Sequence, residues 1–154
     1  MNELIRTELT ESVIHELVYY ISKSKEAAMI TEQDAPVFLK QIVDGIMKTG
    51  DLLAKTGYKA SMSRIERKRI EAISALEGYK EYLVEKGGKG TEAERAAFVA
   101  SRPEVIKAAE EEAYWEAMYV YLQTVKNALV MTHDDVKKTV YTRSELQNRQ
   151  FITA

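Results

Sequence analysis

Residues 64–90 read RIERKRIEAISALEGYKEYLVEKGGKG, and the reading of this stretch decides the fold. Ile65, Ala72, Leu76, Tyr79 and Leu83 recur at steps that fit a seven-residue repeat, with Arg69 filling one slot. Gly87, Gly88 and Gly90 follow. Glycine just past a helix takes the left-handed backbone that a helix end often needs. The pattern predicts one helix from about Met62 to Lys86, opened by Ser61 or Ser63 as N-cap and stopped by glycine.

Working outward from this helix, the chain reads as helical in both directions. Downstream, Thr91 stands where an N-cap belongs, before the short run EAERAAFVA. Ser101 and Pro103 open the longest predicted helix, which runs towards Met131. Its Trp115, Met118, Leu122, Val125 and Leu129 alternate three and four apart, as in a coiled-coil seam. The triplet His133, Asp134 and Asp135 has the character of N-cap residues for a last, polar helix over about 134–148, anchored by Val136, Val140 and Leu146.

Upstream, Ile5, Leu9, Val13, Leu17 and Ile21 fall four apart, widened by Ile14 and Val18, and predict a first helix from about Glu3 to Lys23. A second starts near Asp34 with Pro36 in its first turn, where the missing N–H costs nothing. Its apolar face is Leu39, Ile42, Val43, Ile46 and Met47. Gly50 marks a stop or kink, Gly57 ends this half, and TGYKASMS reads as a linker. The expected fold is all-α: a long antiparallel hairpin, Met62–Lys86 against Pro103–Met131, with additional N-terminal helices and a polar C-terminal helix. It forms one domain over 1–154, divided into N-terminal helices (1–57) and a hairpin with C-terminal helix (62–150).

Composition narrows the function. At 154 residues with 45% hydrophobic residues, the chain can build one packed core. A net charge of -2 argues against coating nucleic acid by charge alone. No cysteine is present, so no disulfide or thiolate site exists, and a reducing compartment is compatible. The start MNELIRTELTES lacks a signal-peptide pattern, and no run approaches a membrane span. A soluble cytoplasmic protein is expected.

No catalytic constellation assembles, so the chain is expected not to be an enzyme and to need neither cofactor nor metal. In GGKGT, Lys89 is followed by Gly90 rather than Ser or Thr, and a helix precedes it, so it is not a nucleotide-binding phosphate loop. His15 has no second histidine at ligand spacing, and adjacent His133, Asp134 and Asp135 do not converge from a helix. The run Glu110, Glu111, Glu112 fans around a helix and reads as a solvated face. Arg64, Arg67 and Lys68, offset by Glu66 and Glu71, read as surface ion pairs. Lys80, Lys86 and Lys89 beside Tyr82 are less diluted by acids and suit single strands, where cations pair with phosphates and rings stack on bases. Trp115 and the tyrosines around it suit a core or an interface equally.

The order of parts carries a resemblance. A basic helix with Tyr79 and Tyr82 ends in a Gly/Lys loop; a short segment follows, then SRPEVIKAAEEEAYWEAMYVYLQTVKNAL and a polar helical tail. Over residues 62–150 this resembles phage recombination mediators of the UvsY type. The resemblance implies a mediator that binds single-stranded DNA and helps load a recombinase onto DNA covered by single-strand-binding protein. It implies Lys80, Tyr82, Lys86 and Lys89 as nucleic-acid contacts. It implies Trp115, Met118, Leu122, Val125 and Leu129 as hairpin core or the interface of a homo-oligomer, in a host-cell cytoplasm if phage-encoded. The competing expectation is a small helical phage adaptor or inhibitor acting by protein–protein binding, which near-zero net charge and abundant tyrosine fit equally well.

Overall fold

The computed structural model of the chain describes His15 and residues 17–152, with side chains described as far as Arg143. Ile5, Leu9, Val13, Ile14 and the side chain of Leu146, all predicted anchors, lie outside the described residues. Every regular element among the described residues is helical, so the fold is all-α. The elements are α1 (17–25), a 3-10 turn at Ala27–Met29, α2 (Ala35–Leu76), α3 (Tyr79–Lys86), α4 (Glu92–Ala100) and α5 (Pro103–Ile152).

The structure corrects two predicted boundaries. Where two helices and a linker were expected, α2 is one helix of 42 residues that passes through Gly45, Gly50 and Gly57. Gly45 and Gly57 are seats for side chains rather than breaks, whereas a Cβ at Gly50 would meet nothing nearer than 3.8 Å. A Cβ at Gly45 would come within 2.6 Å of the Tyr20 ring, and one at Gly57 within 3.1 Å of Tyr119. The helix loses about 1 kcal/mol of propensity at each glycine, and ring packing offsets it at Gly45 and Gly57. The real break comes at Gly78, whose left-handed φ of 78° turns the chain between α2 and α3. The predicted helix Met62–Lys86 is therefore the end of α2 plus all of α3.

The predicted cap at His133 and Asp134 is the second correction, because α5 runs through it for 50 residues. Leu129 and Val136, seven residues apart and both buried, hold the helix on either side. Asp134 and Asp135 between them face solvent, where their weak helix propensity costs little. The predicted starts at Thr91 and Pro103 match α4 and α5.

The described chain forms two compact units, divided differently from the predicted 1–57 and 62–150. Unit 1 holds the described residues up to Leu53 together with those from Tyr121; unit 2 is Ala54–Val120. Unit 1 comprises α1, the first part of α2 and the later part of α5. Its core is Leu17, Tyr20, Phe38, Ile42, Leu52, Leu122, Val125, Leu129 and Val136. Buried Thr49 is satisfied by donating its hydroxyl to the Gly45 carbonyl at 2.7 Å.

Unit 2 comprises the end of α2, then α3, α4 and the start of α5. Gly57 lies against Tyr119, and Arg64 against Glu112 and Glu116. Numbers rise along one helix as they fall along the other, so these segments run antiparallel. Its buried apolar residues are Phe98, Val105 and Trp115.

Candidate functional site

The expected nucleic-acid contacts Lys80, Tyr82, Lys86 and Lys89 lie before and on the glycine loop, whose amides are already engaged. Gly87 adopts left-handed geometry, and the N–H groups of Gly87 and Gly88 both donate to the Leu83 carbonyl, closing α3. Thr91 caps α4 by accepting from the Glu94 N–H at 3.2 Å, while Glu94 reaches back to accept from the Thr91 N–H at 2.9 Å. The same carboxylate accepts from the Lys89 N–H at 3.4 Å. The Thr91 N–H first, helped by the amides of Lys89 and Gly90, holds the Glu94 carboxyl below the usual carboxylate range. An anion does sit in this loop, and it belongs to the chain.

Lys80 and Lys86 lie on α3 and Lys89 on the loop, all exposed. Six residues separate Lys80 from Lys86, which sets them about 120° apart around the helix. Glu81 and Glu85 are exposed beside them. Tyr82 is half-buried, its ring 4.9 Å from that of Phe98 and 6.3 Å from that of Tyr79. Arg95 lies over the Tyr79 ring and donates to the Ala75 carbonyl of α2 at 3.1 Å. These rings tie α3 to α4, so the face of Tyr82 that would stack on a base is committed to packing.

The basic start of the quoted stretch keeps part of its expected role, since Arg67 pairs with Glu71 at 3.4 Å, and takes on a further one. Glu112 is buried, only 6% exposed, and was expected on a solvated face. Arg64 donates to it at 3.1 Å and also contacts Glu116. Arg67 Nε lies 2.9 Å from its other oxygen without an aligned N–H, so that contact is an ion pair rather than a hydrogen bond. Hydrogen bonds to Glu112 first and Glu116 second hold the Arg64 guanidinium above its ordinary value. Glu111 accepts from the Trp115 indole at 2.7 Å. Arg64 and Arg67 thus clamp α2 to α5 around a buried carboxylate.

The residues expected as hairpin core or oligomer interface fit the first alternative. Trp115, Leu122, Val125 and Leu129 are buried within the single chain, and Met118 is half-buried. Their three-four spacing here serves packing against the chain's own helices.

One site was not anticipated. Beside the arginine clamp, α2, α4 and α5 enclose a groove of about 1000 Å³. Ala72, Ala75, Ala96, Ala100, Ala109 and Ala113 line it, with Val99, Val105 and Ile106. Lys68, Glu71, Glu92, Arg95 and Glu110 form its charged edges, three acids against two bases. Alanine keeps the walls low and apolar, so another backbone can approach closely, and mixed charge gives no field for a polyanion. The signal was present as alanines three or four apart at 72/75, 96/100 and 109/113, a spacing that puts each pair on one helix face. Among the described residues no group of His, Asp and Glu is placed to hold a metal ion, and no helix is long and apolar enough to cross a membrane.

No family model, curated protein or solved structure matches the chain.

Proposed function

We infer that the chain is a helical protein-binding module whose unit 2 seats an amphipathic helix of a partner protein. The alanine-lined groove carries this reading. Its apolar floor would take the hydrophobic stripe of a helix, and its mixed rim would fix the helix register through charges of either sign. The rim's excess of acid favours a protein helix over a nucleic-acid strand. The mediator reading rests on the side chains of Lys80, Lys86 and Lys89 alone, since the loop amides and the Tyr82 ring have partners within the chain.

Selection of amphipathic helical peptides from a displayed library tests the inference. Peptides that bind the parent should lose affinity roughly tenfold or more when Ala113→Trp fills the groove. They should be indifferent to replacing Lys80, Lys86 and Lys89 by Ala. A fluorescent single-stranded oligonucleotide gives the opposing outcome. Binding that weakens steeply with salt and is lost in the triple lysine variant would overturn the groove reading in favour of a DNA-binding mediator.

A further inference from the structure

The face of α2 turned away from the core carries a second apolar feature. Within unit 2, Tyr58, Met62, Ile65, Arg69, Ala72 and Leu76 are spaced alternately four and three apart, and all are exposed. Ile65 is 60% and Leu76 78% exposed. At 100° per residue these six fall on one stripe, whereas buried Thr56 and Ser74 lie about 180° round the helix. The helix has turned its small polar residues inward and its large apolar ones outward. Burial in the chain's own core does not explain such a stripe. A strict three-four alternation is the spacing a second helix of the same repeat requires.

We propose that this stripe is the seam of an antiparallel homodimer, joining α2 of one copy to α2 of another. The stripe is self-complementary when two copies pair about residue 67. Position 58 then meets 76, 62 meets 72, and 65 meets 69, each contact occurring twice, as a two-fold interface demands. Bulky Met62 falls against small Ala72, and Tyr58 against Leu76. Arg69, the stripe's one charge, falls against Ile65 of the second copy with Glu66 of that copy adjacent. In the single chain Arg69 already pairs with Glu66 at 3.6 Å, so both charges are placed at the seam. Parallel pairing would instead set Arg69 on Arg69, two like charges at one layer.

The size of the seam fixes its strength. Eighteen residues of helix span roughly 27 Å, and a helix about 11 Å wide gives a footprint of roughly 300 Å² per copy. That is well below the ~800 Å² per partner of stable complexes, so the dimer is of the weak, reversible class.

The absence of cysteine makes a direct test clean. Oxidising a mixture of Tyr58→Cys and Leu76→Cys chains should give a crosslinked dimer, whereas each variant alone should crosslink far less, since only antiparallel pairing brings 58 to 76. Sedimentation over a hundredfold dilution should show the parent moving from dimer to monomer. Ile65→Lys should weaken dimerisation roughly tenfold or more while leaving the circular dichroism melt unchanged. A parent that stays monomeric at its highest soluble concentration would overturn the proposal. So would an Ile65→Lys variant that dimerises like the parent, or Leu76→Cys alone crosslinking as well as the mixture. Ala113→Trp, on α5, should leave dimerisation intact, which separates this seam from the peptide groove although Ala72 of α2 borders both.

Discussion

The two units of the chain bury apolar residues to different extents. In unit 1 ten apolar side chains are buried, from Leu17 to Val136; in unit 2 only Phe98, Val105 and Trp115 are. Unit 2 exposes eight large apolar side chains, among them Tyr58, Met62, Ile65, Ile73, Leu76 and Ile106, and the described residues of unit 1 expose ten, so the units differ in how much they bury rather than in how much they expose. Unit 2 holds its helices with an arginine–glutamate clamp, an aromatic knot and a capping box. The contrast teaches a division of labour. Unit 1 holds itself together by burial, while unit 2 buries few apolar side chains and is fastened by directional contacts.

The comparison would break first on core truncation. Leu129→Ala, at a position 1% exposed, should cost about 2–5 kcal/mol in chemical denaturation. Ile65→Ala in monomeric protein should stay within about 0.5 kcal/mol of the parent. Similar losses at both positions would mean that the stripe is core after all. The clamp comes next. Glu112→Ala leaves Arg67 beside a buried void, and because both arginines are more than a third exposed, the loss should be about 1–3 kcal/mol. Glu112→Leu should recover part of it, since an apolar side chain needs no partner.

The glycine seats sharpen the contrast within α2. Gly45→Ala drives a Cβ to 2.6 Å from the buried Tyr20 ring and should destabilise by about 1–3 kcal/mol. Gly50→Ala meets nothing nearer than 3.8 Å and should stabilise by about 0.5–1 kcal/mol through helix propensity. Thermal melts of the two variants should therefore move in opposite directions. The smallest effect concerns pH. Glu94 has a folded-state pKa depressed by its amide partners, so its contribution is complete above the unfolded carboxylate value of ~4.3 and fades as pH falls through the lower folded value. Amide resonances of Lys89 and Thr91 should follow that titration below about pH 4, and in Glu94→Gln they should not.

How far the sequence reached depended on what each signal reports. The helix content, the cap at Thr91 and the start at Pro103 are local signals, carried by backbone chemistry within a few residues, and each was legible. Gly57 misled because a glycine that ends a helix and one that seats a ring look alike until the ring is located, and Gly50 because a long helix carries a single glycine at only about 1 kcal/mol. The seven-residue repeat at Ile65, Ala72 and Leu76 was legible as a stripe, yet periodicity does not say which side the core lies on. Thr56 and Ser74 on the inner face carry no apolar signal to settle it. The seam from Trp115 to Leu129 had the reverse ambiguity, since the same spacing serves an internal or an external partner. Glu112 could not be recognised as buried without Arg64 and Arg67, which lie 48 and 45 positions away in sequence. The groove needed three helices at once, so its paired alanines read singly as ordinary helix formers.

Glu94 gives the glycine loop a further property. Its carboxylate is tethered through only three and five residues of chain to the amides of Thr91 and Lys89 that it accepts from. Tethering over so short a distance corresponds to a local concentration in the millimolar range or above. A free anion reaching the loop must compete against that internal ligand on every encounter. The loop therefore behaves as an occupied receptor, selective against dilute anions in solution.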